Sequence, residues 1–159
     1  MFILNPKHYG ELDRRSPWKQ EKLMEDKVIV QERGWPGHFI CGDKCIYHRN
    51  TLLSYHNINI VISTVGNMKG VLTHKTEPIG ADRYYETMCF LGRLQGSYVE
   101  ADVSKQLLLP LTWSIDNVSE STDMIADNMH NNAIMFFREH IKDENFEEKF
   151  LIRDEQYED

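Results

Sequence analysis

Ile58-Asn59-Ile60-Val61-Ile62-Ser63-Thr64-Val65 is the stretch on which the fold turns. β-Branched side chains, stiff at χ1 and suited to a pleated surface, fill it almost throughout, and the run reads as a central strand. Ser54-Tyr55-His56-Asn57 before it reads as a turn, and Arg49-Asn50-Thr51-Leu52-Leu53 as the antiparallel partner. A four-residue loop would pair Leu53 with Ile58. Arg49, Thr51, Ile60 and Ile62 then share one face, and His48, Asn50, Leu52, Asn59, Val61 and Ser63 share the other. The first is the expected core face.

Upstream lies His38-Phe39-Ile40-Cys41-Gly42-Asp43-Lys44-Cys45-Ile46-Tyr47-His48, whose two thiols and two imidazoles match zinc-donor chemistry. Its spacing is palindromic around Gly42-Asp43-Lys44, which has turn chemistry, so a hairpin is the favoured reading. Cys41 would face Cys45, and His38 would face His48 from the opposite side of the ribbon, so four ligands do not converge. Two thiols packed beside aromatic rings are therefore preferred to a metal, with zinc on Cys41 and Cys45 as the alternative. Three cysteines, an odd number, argue against a disulfide framework.

Val28-Ile29-Val30-Gln31 forms a first strand, stopped by Gly34-Trp35-Pro36-Gly37. Residues 66–81 read as a polar connection. A second hairpin runs from Arg83 to about Arg93 and from Tyr98 to about Ser104, turning at Gln95-Gly96. It places Met88 opposite Val103 and Phe90 opposite Ala101, with Tyr85, Thr87, Cys89, Glu100, Asp102 and Ser104 on the reverse. Leu107 to Trp113, interrupted by Pro110, is an edge strand or packed loop. Asn117 and Glu120 resemble a capping box, and Met124, Ile125, Met129, Ala133, Phe136, Phe137 and Ile141 follow at helical spacing.

The expectation is α+β: a mainly antiparallel sheet of five or six strands with a long C-terminal helix on one face. Residues 1–159 form a single domain, with 1–26 an arm and short helix, 27–113 the sheet, 117–142 the helix and 143–159 an acidic tail. The net charge of −7, with 41% hydrophobic and 27% charged residues, is that of a folded domain and disfavours direct nucleic-acid binding. The apolar run at the N-terminus is too short for a signal peptide and no stretch approaches a membrane span, so a cytoplasmic location is expected.

No phosphate-loop, dinucleotide, zinc-protease or nucleophile-elbow motif occurs, so the usual cofactor enzymes are disfavoured and no cofactor is expected. Four constellations remain. His38, His48, Asn50 and Ser63 gather on the less apolar sheet face, able to bind an oxyanion, or else forming an ordinary wet face. Glu100 and Asp102, ~7 Å apart on one strand, suit acid/base work or a charged exterior. Arg49 among apolar neighbours calls for a carboxylate or a bound anion, unless it snorkels at the rim. Arg83-Tyr84-Tyr85-Glu86 suits recognition, with Arg83 and Tyr85 as ligand contacts.

The function these readings favour is a non-enzymatic binding protein acting through a protein partner or self-association. The alternatives are a protein for a small ligand, nucleotide or anion, or a small hydrolase or lyase, using His38, His48, Arg49, Glu100 and Asp102 in one pocket, and a zinc-stabilised module using Cys41 and Cys45.

Overall fold

The computed structural model describes residues 26–34, 38, 44–118 and 122–153. Seven strands form one antiparallel sheet: β1 (Ile29–Glu32), β2 (Cys45–Tyr55), β3 (Ile58–Lys69), β4 (Thr76–Glu77), β5 (Tyr85–Gln95), β6 (Tyr98–Leu107) and β7 (Ser114–Ile115). Five of them run in the order β1-β2-β3-β5-β6, with β4 on β3 and β7 on β5. Two helices follow, α1 (Asp123–His140) and α2 (Phe146–Phe150). The expected α+β architecture is thus the observed one, extended by the two short strands. The expected N-terminal helix and the turn at 42–44, apart from Lys44, lie outside the described residues.

β2 and β3 meet through a two-residue turn, His56-Asn57, so Tyr55 pairs with Ile58 and Leu53 with Ile60. The four-residue loop is corrected by two positions. Because side chains alternate with period two, a two-residue slip leaves every residue on its expected face. Residues 66–81 are also corrected, since β3 continues to Lys69 and returns as β4.

The face carrying Tyr47, Arg49, Thr51, Leu53, Ile60, Ile62 and Thr64 is the one α1 covers. The register of β3 with β5 adds Tyr85, Thr87, Cys89 and Leu91 to it. Those four are core, which corrects the placement of Tyr85, Thr87 and Cys89 on the outer side of the hairpin: Tyr85 and Cys89 are 1% exposed. The sheet is apolar on both sides here, so alternation alone does not say which side the helix takes.

α1 starts at Thr122, whose Oγ accepts from the Ile125 N–H at 3.3 Å, and not at the expected Asn117. Its buried stripe is Ala126, Met129, His130, Ala133 and Phe137. The N-terminal turns pack on Tyr47 and Tyr85, and the C-terminal turns on Leu53, Ile60 and Leu107.

A polar chain runs beneath α1. Thr51 Oγ–H donates to Glu32 Oε2 at 2.7 Å, so Thr51 accepts from His130 Nε2–H, also at 2.7 Å. His130 Nδ1 is then the acceptor for the Thr64 hydroxyl at 2.6 Å, and Thr64 accepts from Thr87 at 2.6 Å. Arg49 closes the chain, its Nε and Nη2 donating to Glu32 at 2.9 and 3.2 Å and its Nη1 to Asn131 at 2.9 Å. Burial pushes the Glu32 carboxyl up, but the bonds from Arg49 and Thr51 outweigh it and hold it below its usual value. Arg49 therefore has a carboxylate from its own chain, and lies across the sheet from the cleft described below.

Gly66 sits opposite Tyr85, and a Cβ there would lie 2.3 Å from Tyr85 Cδ1 and 2.7 Å from the Tyr84 carbonyl oxygen. The Tyr85 hydroxyl donates to Asp123 at 2.6 Å, so the ring is tethered and cannot swing aside. Gly66→Ala is expected to lower stability by about 1–3 kcal/mol in a urea titration, with a loss of near-ultraviolet tyrosine signal.

Candidate functional site

The face away from α1 carries Asn50, Ser63, Glu86 and Met88, set by the same β2-β3-β5 register. Over it the sheet curls. Arg33, just past β1, donates from Nε to Asn50 Oδ1 at 3.0 Å, from Nη1 to the Val99 carbonyl on β6, and its Cζ lies 4.8 Å from the Tyr98 ring centroid. β1 and β6 are the two ends of the strand order, so this one side chain ties the sheet's edges together across the cleft it borders. Burial pushes its guanidinium down, but an arginine stays charged throughout the physiological range.

Beneath that strap His38 lies on the sheet. Its backbone N–H donates to Ser63 Oγ at 3.1 Å. The ring spans two strands, with Nδ1 2.8 Å from Ser63 Oγ and Nε2 3.0 Å from Glu86 Oε1. Glu86 Oε2 accepts from Arg83 Nε at 2.9 Å. The His38 and Glu86 side chains are 4% and 6% exposed. Burial pushes the Glu86 carboxyl up, yet the bonds from His38 and Arg83 hold it below the usual carboxylate value. An ionised carboxylate only accepts, so Nε2 carries the hydrogen, Nδ1 is a bare acceptor in the neutral ring, and Ser63 Oγ–H points at it.

Two clefts flank this chain. One of about 250 Å³ is lined by Arg33, His38, Asn50, Ser63, Tyr98, Glu100, Ala101 and Val103. The other, of about 370 Å³, is lined among others by Arg83, Glu86, Met88, Gln106 and Trp113. The second exists because the β5-β6 register shifts between Phe90 and Gly92, pairing Phe90 with Gln106 and not with the expected Ala101. β6 then leaves β5 after Leu107, and β7 resumes pairing only at Tyr85 and Glu86.

His38, Asn50, Ser63 and Glu100 thus border one cleft, although the Glu100 carboxylate lies 3.9 Å from Arg93. The other expected residues lie elsewhere. His38 does not face His48, whose Nε2–H donates to the Cys45 carbonyl at 2.6 Å. Asp102 accepts from the Ser104 hydroxyl at 2.6 Å and its amide at 3.2 Å, on the exterior. Arg83 reaches the site through Glu86, with its Cζ 5.7 Å from the Trp113 ring centroid, whereas Tyr85 is buried under α1. Cys45 packs with Val65 and Ile79, and Cys41 lies outside the described residues. Among the described residues no group of three His, Cys, Asp or Glu could hold a metal ion.

Arg33 and Glu86 were the members hardest to read. Glu86 pairs with Val65 two positions from the Ser63–Met88 pair, so the β3-β5 register would have put it on the Ser63 face. No local signal announces Arg33, which arrives only through the curl.

No protein-family model matches the chain, and no match was found among curated proteins or solved structures. Among the described residues no helix is long and apolar enough to cross a membrane.

Proposed function

We propose that this chain binds a small polar ligand, anionic or carbonyl-bearing, in the cleft between Arg33 and Ser63. The observation that carries this reading is the hydrogen-bonded run Ser63–His38–Glu86–Arg83, its first three side chains buried, along the floor shared by two clefts. Holding an imidazole and a carboxylate buried on a sheet face costs more than filling the same space with aliphatic side chains, and a buried carboxylate held below its usual value beside a cleft marks a candidate site. Arg33 supplies positive charge, Asn50 and Ser63 supply directional polar groups, and Val103 and Tyr98 supply apolar wall. A cytoplasmic location accompanies this reading, in keeping with the free, buried thiol of Cys89.

Saturation-transfer NMR against a panel of small carboxylates and phosphate monoesters tests it. At least one compound is expected to bind the wild type and to bind Arg33→Met at least ~10-fold more weakly. Absence of any binder, or binding indifferent to both Arg33→Met and Ser63→Val, would remove the reading.

The partner-binding alternative draws support from the turn after β3, where Val71 and Leu72 are 73% and 92% exposed. Two adjacent apolar side chains at a loop tip make an insertion point for a partner's pocket. Loss of a co-purifying protein in a Val71→Ser, Leu72→Ser double variant would be its signature.

A further inference from the structure

We propose that the cleft also carries acyl-transfer chemistry, with Ser63 as nucleophile, His38 as its general base and Glu86 as the positioning residue, acting on short-chain carboxylic esters. This inference rests on the binding reading above and names the substrate class of the same site.

The geometry meets the requirements of an activated serine. Nucleophile and base lie 2.8 Å apart, base and orienting carboxylate 3.0 Å apart, and the carboxylate is fixed in turn by Arg83 at 2.9 Å. The ring is turned so that Nδ1 faces the serine and Nε2 the carboxylate. The chemistry requires only that one nitrogen accept while the other donates to an anion, and Glu86 enforces that assignment. The His38 amide also donates to Ser63 Oγ, which holds the oxygen in place and favours negative charge developing on it. Arg33 lines the same cleft, so positive charge borders the space that a substrate carbonyl would enter.

In the first half-reaction Ser63 Oγ bonds to the ester carbonyl carbon as its proton passes to His38 Nδ1. The intermediate collapses with cleavage of the carbon–alkoxide bond, and the leaving alcohol takes the proton from Nδ1, leaving acyl-Ser63. Water then attacks the acyl carbon, giving a proton to Nδ1, and the carbon–Oγ bond breaks as that proton returns to Oγ. Ester and water become acid and alcohol, with no redox change. Ser63 lies on the floor of the cleft and is 1% exposed, so small acyl groups are the ones expected to reach it.

The test is incubation of the full chain with p-nitrophenyl acetate, acid quench and peptide mapping. An acetyl group on Ser63 is expected, with p-nitrophenolate release falling by about 10²- to 10⁴-fold in Ser63→Ala and His38→Gln. Glu86→Gln should fall comparably and Glu86→Asp should recover part of the rate, a rescue that a purely structural carboxylate would not produce. The acetyl position is read on the wild type, so it does not depend on any variant folding. Acetylation confined to surface lysines and tyrosines, or release unchanged in folded Ser63→Ala, would overturn the inference. If that happens while the NMR panel still shows Arg33-dependent binding, the binding reading survives alone; if the panel fails too, both fall.

Discussion

Acidification from pH 7 to pH 4 is expected to cost the folded chain about 3 kcal/mol through His130 alone. Burial lowers this imidazole from 6.5 to about 4, with the Arg49 charge acting in the same direction, while Glu32 and Asp127 push the other way. The hydrogen-bond chain has the same requirement. Nδ1 must stay bare to accept from Thr64, and a proton there would set two donors against each other.

Because the folded value lies below the unfolded one, the unfolded chain binds more protons between about pH 6.5 and pH 4, and stability rises with pH across that window. Above pH 6.5 this contribution is constant. Below about pH 4.5 the depressed Glu32 carboxyl begins to add its own loss in the same sense. Urea midpoints measured from pH 4 to pH 8 should show the slope, and His130→Gln should flatten the part between pH 6.5 and pH 4.5. Parallel curves for wild type and variant would mean that His130 does not titrate as described.

Phe137→Ala is expected to lower stability by about 3–5 kcal/mol, the usual range for deleting a fully buried ring. Phe137 is 0% exposed and joins three elements. Its ring lies 5.1 Å from Phe136, 6.0 Å from Phe146 and 6.0 Å from Phe150, all at steep interplanar angles. Phe150 in turn presents its carbonyl to the Leu108 amide at 2.7 Å, and the Ile152 amide donates to Gln106 at 2.9 Å. Removing the ring should therefore loosen α2 and its attachment to β6 before the sheet opens. Amide exchange at Leu108 and Ile152 should accelerate more than exchange in β3. Met135→Ala, on the exposed side of α1, is the control and should change stability by no more than ~0.5 kcal/mol.

How much of this was legible from residues alone differs by element. The β-branched run 58–65 identified the central strand, and alternation then assigned the faces of β2 and β3 correctly despite a turn misjudged by two residues. The same alternation failed to orient β5, because Tyr85, Thr87 and Cys89 are no more apolar than Met88 and Phe90 opposite them. The deciding fact is tertiary: Asp123 on α1 accepts from Tyr85 and so draws that face under the helix. His130 falls on the buried stripe with Ala126, Ala133 and Phe137, but a search for apolar spacing passes over an imidazole. At the site, Ser63 and Asn50 followed from strand parity. Arg33 and Glu86 did not, since one depends on the curl of the whole sheet and the other on a strand pairing across the intervening residues 70–84.

The Arg33 strap has a second consequence, for the way this chain behaves at high concentration. A sheet with two free borders offers unpaired amides and carbonyls to any passing strand, and long flat borders are where aggregation starts. One border here is β1, only four residues long. On the other, Arg33 occupies the Val99 carbonyl, while the bridge between Leu107 and Leu151, with the amide of Ile152 on Gln106, covers the far end. Among the described residues, what remains open is the stretch 100–105, which carries Glu100, Asp102 and Lys105, with Val103 as its only large apolar side chain. An incoming strand would have to strip water from three charges to gain a few ladder bonds, so the clasp and the tail together guard the molecule against templating its own aggregation.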